Sequence, residues 1–267
     1  MLLSKCLDKA LQFGKNASKR AQTLVQITGA LRNLVNDEDS YARVCKTKVV
    51  PKLLSVLDLF RGHKELMLNV SRILSKVSMD SDCSKAIIAT DKLEFLNGLI
   101  TEFQTYTAFV VRIAFVLANL TTYFDEAREQ LGTAAEIRRI LQVSVVYFER
   151  EEAGAEQQVS VGGNIEDTLV KLIRLVANIC TDEQYIEAVI EGCGKELLGQ
   201  FMVKMISALE RKKIPSSEEF ILNAVSCATN MLFFDSPAST DLFPDALRVR
   251  IFRAVKLFTV ETSNEEL

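Results

Sequence analysis

The chain has 267 residues, 48% of them apolar and 25% charged, which is enough to bury a sizeable core and excludes a disordered or fibrous composition. A net charge of −3 and a pI near 5.5 give no global footprint for nucleic acid or an anionic membrane. With 11 Gly, 4 Pro and no Trp, the composition favours an all-α class over a turn-rich β architecture.

From the N-terminus, residues 1–14 read as an apolar-periodic helix that lacks the basic leader and small-residue cleavage site of a secretory signal. No run in the chain approaches the ~18 apolar residues of a membrane span. The first recurring pattern is "apolar, apolar, any, Asn, apolar": ALRNL (30–34), ILSKV (73–77) with Lys in place of Asn, VLANL (116–120), LVANI (175–179) and CATNM (227–231). The shared position, held by Asn33, Lys76, Asn119, Asn178 and Asn230, recurs at intervals of 43, 43, 59 and 52. Two insertions account for the longer intervals. EEAGAEQQVSVGGN (151–164) is polar and Gly-rich and is expected to be protease-sensitive, and ERKKIPSSEE (210–219) is charged and contains Pro215. Without them the unit is near 43 residues, the length of armadillo and HEAT repeats.

Each unit divides in the same way. After the Asn helix comes an acidic turn (Asp37, Asp80, Asp125, Asp182, Asp235) suited to capping a short first helix such as DEAREQLG. A second helix follows at 49–60, 91–103, 134–149 and 194–210. The third is the Asn helix, apolar at i, i+3, i+4 and i+7, as in Val110, Ile113, Ala114 and Leu117. Three helices per unit favour the armadillo over the two-helix HEAT repeat. The expected fold is one armadillo-type right-handed α-solenoid over residues 1–267, with about four whole repeats and partial repeats at both ends. Residues 1–14 and 244–258 read as second helices without the rest of their repeat, as if cut from a longer array.

Stacked third helices in such an array line a groove where an Asn can address an extended ligand's backbone or bond its own repeat. Four and seven residues before the Asn lie on the same face. Those rows hold Gly29, Arg72, Phe115, Arg174 and Ser226, and Gln26, Asn69, Arg112, Lys171 and Asn223. With Lys76, the face carries five basic residues and no acidic one, which reads either as a groove for an acidic extended segment or as a solvated helical face. The candidate partner-binding set is Asn33, Arg72, Lys76, Arg112, Phe115, Asn119, Lys171, Arg174, Asn178, Asn223 and Asn230. Nuclear-import receptors of this architecture hold lysines with Trp four before the Asn, and no Trp exists here.

Signals for catalysis, cofactors or metals are poor. His63 is the single histidine and sits in a turn, GCGKE (192–196) lacks the spacing of a phosphate loop and reads as a helix cap and turn, and the glycosylation-like Asn69-Val70-Ser71 and Asn119-Leu120-Thr121 fall in helices. Cys6, Cys45, Cys83, Cys180, Cys193 and Cys227 contain no C-x-x-C pair, suggest neither a zinc site nor a disulfide framework, and read for the most part as small core residues in a reducing compartment.

SRILSKVSMDSDCSKAI (71–87), FVVRIAFVLANLTTYFDEAREQ (109–130), EDTLVKLIRLVANI (166–179) and EEFILNAVSCATNM (218–231) resemble members of the armadillo-repeat family that serve cilium and flagellum assembly. That resemblance implies a non-catalytic adaptor coupling radial spokes to intraflagellar transport, with a role in axoneme assembly and sperm motility. It also implies a location in the cytoplasm and the cilium or flagellum. The alternative is a structural scaffold subunit of a large cytoskeletal or axonemal complex.

Overall fold

The computed structural model describes residues 2–12, 17–154, 164–214, 216–233 and 244–261, and every regular element among them is helical. The helices run α1 (Leu2–Gln12), α2 (Ala17–Leu34), α3 (Glu38–Lys46), α4 (Val49–Leu59), α5 (Lys64–Val77), α6 (Ser81–Ile88), α7 (Leu93–Glu102) and α8 (Thr107–Tyr123). They continue as α9 (Asp125–Leu131), α10 (Ala134–Glu152), α11 (Ile165–Ile179), α12 (Glu183–Cys193), α13 (Lys195–Leu209), α14 (Glu218–Phe233) and α15 (Asp245–Glu261). From α3 on, a first helix, a second helix and a long Asn-type helix succeed one another in that order. None of these helices is long and apolar enough to cross a membrane. Residues 155–163 of the first insertion, Pro215 of the second, and Asp235 lie outside the described residues.

Local chemistry sets the helix starts. Asp37 opens α3 with a capping box, its carboxylate accepting from the Ser40 amide while the Ser40 hydroxyl reaches back to the Asp37 amide. Asp80 accepts from the Cys83 amide at 2.9 Å and Asp182 from the Gln184 amide at 3.1 Å. Asp125 departs from the expected capping role. It is the first residue of α9, the cap position is Phe124, and the Asp125 carboxylate pairs with Arg128. Phe124 ends α8 and also starts α9, so Asp125 falls at the first helical position, one past the place from which a carboxylate can accept from the first-turn amides. His63 caps α5, its Nδ1 accepting from the Leu66 amide. Gly194, at φ 76°, joins α12 directly to α13, as the GCGKE reading requires.

Two compact units divide the chain, Met1–Leu96 and Asn97–Leu267. In the first, α2 packs on α5 and α3 on α6, burying Leu24, Leu31, Val70, Ile73, Leu74 and Val77. In the second, α11 packs between α8 and α14, and α10 packs on α11 and α13. The predicted stripe of α8, Val110, Ile113, Ala114 and Leu117, is wholly buried, and Phe148 meets Phe201 edge to face at 6.0 Å. Each such side chain contributes about 1.5–3 kcal/mol by leaving water.

Long-range hydrogen bonds keep the repeat interval. Ser4 Oγ donates to Thr47 O, 43 residues on, and Tyr147 OH donates to Gln104 O, 43 residues back. Across the first insertion the separation rises to 60, from Asn178 Nδ2 to Ala118 O. The same interval brings together two cysteines that the sequence treats as independent. Cys45 and Cys83 lie 38 residues apart on the first helices of consecutive repeats, their sulfurs in bonding contact and their Cα atoms 5.2 Å apart. The expectation of unpaired core thiols fails for this pair, because stacking, and not proximity in sequence, sets their distance. Cys180, Cys193 and Cys227 are buried free thiols, as expected.

Candidate partner-binding surface

The long helices present the candidate residues in rows, and each unit has its own set. In the first unit, Lys76 occupies the Asn position and its ammonium donates to Val35 O at 2.7 Å and Asn36 Oδ1 at 2.8 Å. With a third bond to Arg32 O at 3.4 Å, it holds the C-terminal end of α2, where helix geometry leaves carbonyls without intrahelical partners. Asn33 is exposed and its Oδ1 accepts from Arg32, whose other arm donates to the buried Asn69 at 3.0 Å. Arg72 is half-buried one turn before Lys76.

In the second unit the Asn side chains also turn inward. Asn178 Nδ2 donates to Ala118 O at 2.9 Å and to the Thr121 and Thr122 hydroxyls at 3.1 and 2.9 Å. Asn230 Nδ2 donates to Ala177 O at 2.9 Å. Asn119 is 5% exposed, within the packed body of α8. Asn178 and Asn230, like Lys76, are thus spent on stitching one long helix to the one before it, in the preceding repeat rather than their own, whereas Asn33 stays exposed.

The flanking rows stay half-exposed. Arg112 donates to Ala108 O on its own helix, Lys171 Nζ stands 5.5 Å above the Phe115 ring, and Arg174 donates to the Thr122 hydroxyl at 3.1 Å. Asn223 Nδ2 bonds Glu219 O at 2.7 Å. Residues from α8, α11 and α14 are therefore brought onto one face: Phe115 touches Lys171, and Lys171 forms an ion pair with Glu219. A cation over an aromatic face gains about 0.5–1 kcal/mol when exposed and more when desolvated.

Glu219 was absent from the sequence-level set, and it changes the electrostatics of the face. It cancels the charge of Lys171, while Arg174 bonds a hydroxyl that leaves its charge uncompensated. The signal lay one turn further along the same stripe. Eleven residues before the Asn stand Glu65, Asp167 and Glu219, so the basic rows are bordered by an acidic one. Arg138 and Arg139, exposed on α10, are both engaged: Arg138 donates to Gly192 O and Arg139 pairs with the buried Glu136.

No family model matches the chain. It is 28% identical over 225 residues to armadillo repeat-containing protein 2 of Homo sapiens, a match covering 79% of this chain and 25% of the human protein. With the Bos taurus protein of the same name it is 28% identical over 246 residues, covering 87% of this chain and 27% of that one. The chain spans about a quarter of the length of these curated relatives. Among solved structures, SYS-1 superposes with a TM-score of 0.69 at 14% identity, covering 98% of this chain and 46% of that one. An engineered protein superposes with a TM-score of 0.61 at 15% identity, covering 95% and 97%. Likeness at such identities carries the fold, an all-α array of armadillo-type repeats.

Proposed function

We propose that this chain is a non-catalytic, protein-binding part of an adaptor in cilium and flagellum assembly, one that couples radial spokes to intraflagellar transport. Residues 1–267 are taken as a single array, working in the cytoplasm and the cilium or flagellum. Similarity to armadillo repeat-containing protein 2 and the LANLT and AREQ segments of residues 117–130 support the ciliary assignment.

One observation carries the binding role. Arg112, Phe115, Lys171, Arg174 and Asn223 stand half-exposed on adjoining long helices while Asn178 and Asn230 turn inward to hold the stack. This face offers flat aromatic area, guanidinium groups and an amide to an extended acidic segment of a partner.

The test is affinity capture of the chain from ciliated cells, with bound proteins identified by mass spectrometry. Radial-spoke and intraflagellar-transport proteins are expected with the wild type and should fall sharply with Arg112→Glu plus Arg174→Glu. Each reversal is expected to weaken binding by about tenfold, roughly 1.4 kcal/mol. Lys213→Glu plus Arg253→Glu, at exposed positions outside the Asn-type helices, should leave capture unchanged. Equal capture by both variants removes binding from this face, and retention in salt-extracted axonemes would identify a structural subunit instead.

A further inference from the structure

We propose that Cys45 and Cys83 form a redox modification site that exchanges with small disulfides of the glutathione type, with Cys45 the entry sulfur and Cys83 the resolving one. The inference rests on the first unit alone and is independent of the adaptor reading.

The two residues come from consecutive first helices. Cys45 lies in the last turn of α3 and is half-buried, whereas Cys83 is the third residue of α6 and wholly buried. Their Cα atoms are 5.2 Å apart, inside the ~4.4–6.8 Å range that a disulfide spans without moving the backbone. The helix ends give the pair a polarity. Cys83 sits in the first turn of α6, at the positive end of the helix dipole, and Cys45 sits near the carbonyl end of α3. Asp80 stands beside both sulfurs: its carboxylate accepts from the Cys83 amide at 2.9 Å, lies 3.7 Å from Cys45 Sγ, and is within 4.8 Å of Cys83 Sγ. Tyr41 O lies 3.4 Å from Cys83 Sγ and closes the inner side.

Access orders the chemistry, since Cys45 is half-buried and Cys83 wholly buried. Cys45 Sγ attacks one sulfur of glutathione disulfide, forming the mixed disulfide and releasing one glutathione thiol. Cys83 Sγ then attacks Cys45 Sγ, forming the Cys45–Cys83 bond and releasing the second glutathione thiol. Two electrons and two protons pass from the cysteine pair to the glutathione disulfide. In the reverse direction a thiolate reaches the half-buried Cys45 sulfur, the more accessible of the two, and expels Cys83. The product ties α3 to α6. The deeply buried thiols do not compete, since burial pushes Cys180 up to about 12 and holds Cys227 well above its ordinary value.

The reduced full chain, freed of metal with a chelator, is incubated in glutathione buffers of graded ratio, acid-quenched, alkylated and digested without reduction. The expected results are a Cys45–Cys83 linked peptide in the wild type, one glutathione trapped on Cys45 in Cys83→Ser, and an unmodified Cys83 in Cys45→Ser. Reduced glutathione should reverse the wild-type link, and circular dichroism confirms that each variant is folded. Absence of the linked peptide overturns the proposal, and so does glutathione on Cys83 in Cys45→Ser. A competing occupant is a thiophilic metal, because both sulfurs and an Asp80 oxygen lie within 4.8 Å of one another. One zinc per chain that shields both thiols from oxidation, and is lost in Asp80→Asn, would replace the redox site with a metal site.

Discussion

Lys212 Nζ donates to Glu151 Oε1 at 2.5 Å and to Glu166 Oε2 at 2.8 Å, so one ammonium holds the end of α10 and the start of α11. These are the two sides of the longest insertion in the chain. The Lys212 and Glu151 side chains are only 10% and 11% exposed, and the Phe220 ring lies 4.6 Å from the ammonium. Removing the cation strands two half-buried carboxylates. Lys212→Met is expected to destabilise the fold by about 2–3 kcal/mol, read as a shift in the urea midpoint. The added change Glu151→Gln should restore part of that loss, and no restoration would mean that the effect comes from packing.

The inward-turned Asn predicts a graded series. Asn178 donates to three acceptors and Asn230 to one carbonyl. Asn178→Ala should cost about 1–3 kcal/mol and Asn230→Ala nearer 1 kcal/mol, measured by thermal melts. Equal and negligible costs would return these residues to the ligand-binding set.

Contact between α10 and α12 depends on a missing methyl group. A Cβ on Gly192 would stand 1.9 Å from Ala134 Cβ and 3.0 Å from Ala134 Cα, so Gly192→Ala should force the helices apart and cost about 1–3 kcal/mol. Gly98, inside α7 with nothing within 4 Å of its notional Cβ, supplies the contrast. Gly98→Ala should be neutral or stabilising by up to about 1 kcal/mol through helix propensity.

Acid should loosen α15 from α13 first. The Arg250 guanidinium bonded to Glu210 holds that carboxyl below its ordinary 4.5, against a smaller opposing effect of burial. Because the folded value is depressed, the contribution is complete above the unfolded value and is lost as pH falls through the folded one. Amide exchange in α15 should therefore accelerate as pH drops below about 4.5 once the intrinsic pH dependence of exchange is divided out, and Glu210→Gln should remove that acceleration. An unchanged profile in the variant would assign the acid response to other carboxylates, such as Asp58 with its Arg61 and Lys92 partners.

Helix phase was written in the chain. The apolar spacing of Val110, Ile113, Ala114 and Leu117 fixes which face of α8 is buried, and the recurring Asn fixes where each long helix stands in its repeat, because both depend on the 3.6-residue turn. Pairing between repeats was not written there in the same way. Tertiary stacking decided that Asn178 points to Ala118 O and not outward, that Lys76 does the work of an Asn, that Glu219 cancels Lys171, and that Cys45 meets Cys83. The physical reason is that periodicity specifies direction around a helix axis, whereas these partners lie 38 to 60 residues apart and meet only at the offset with which one repeat settles on the next.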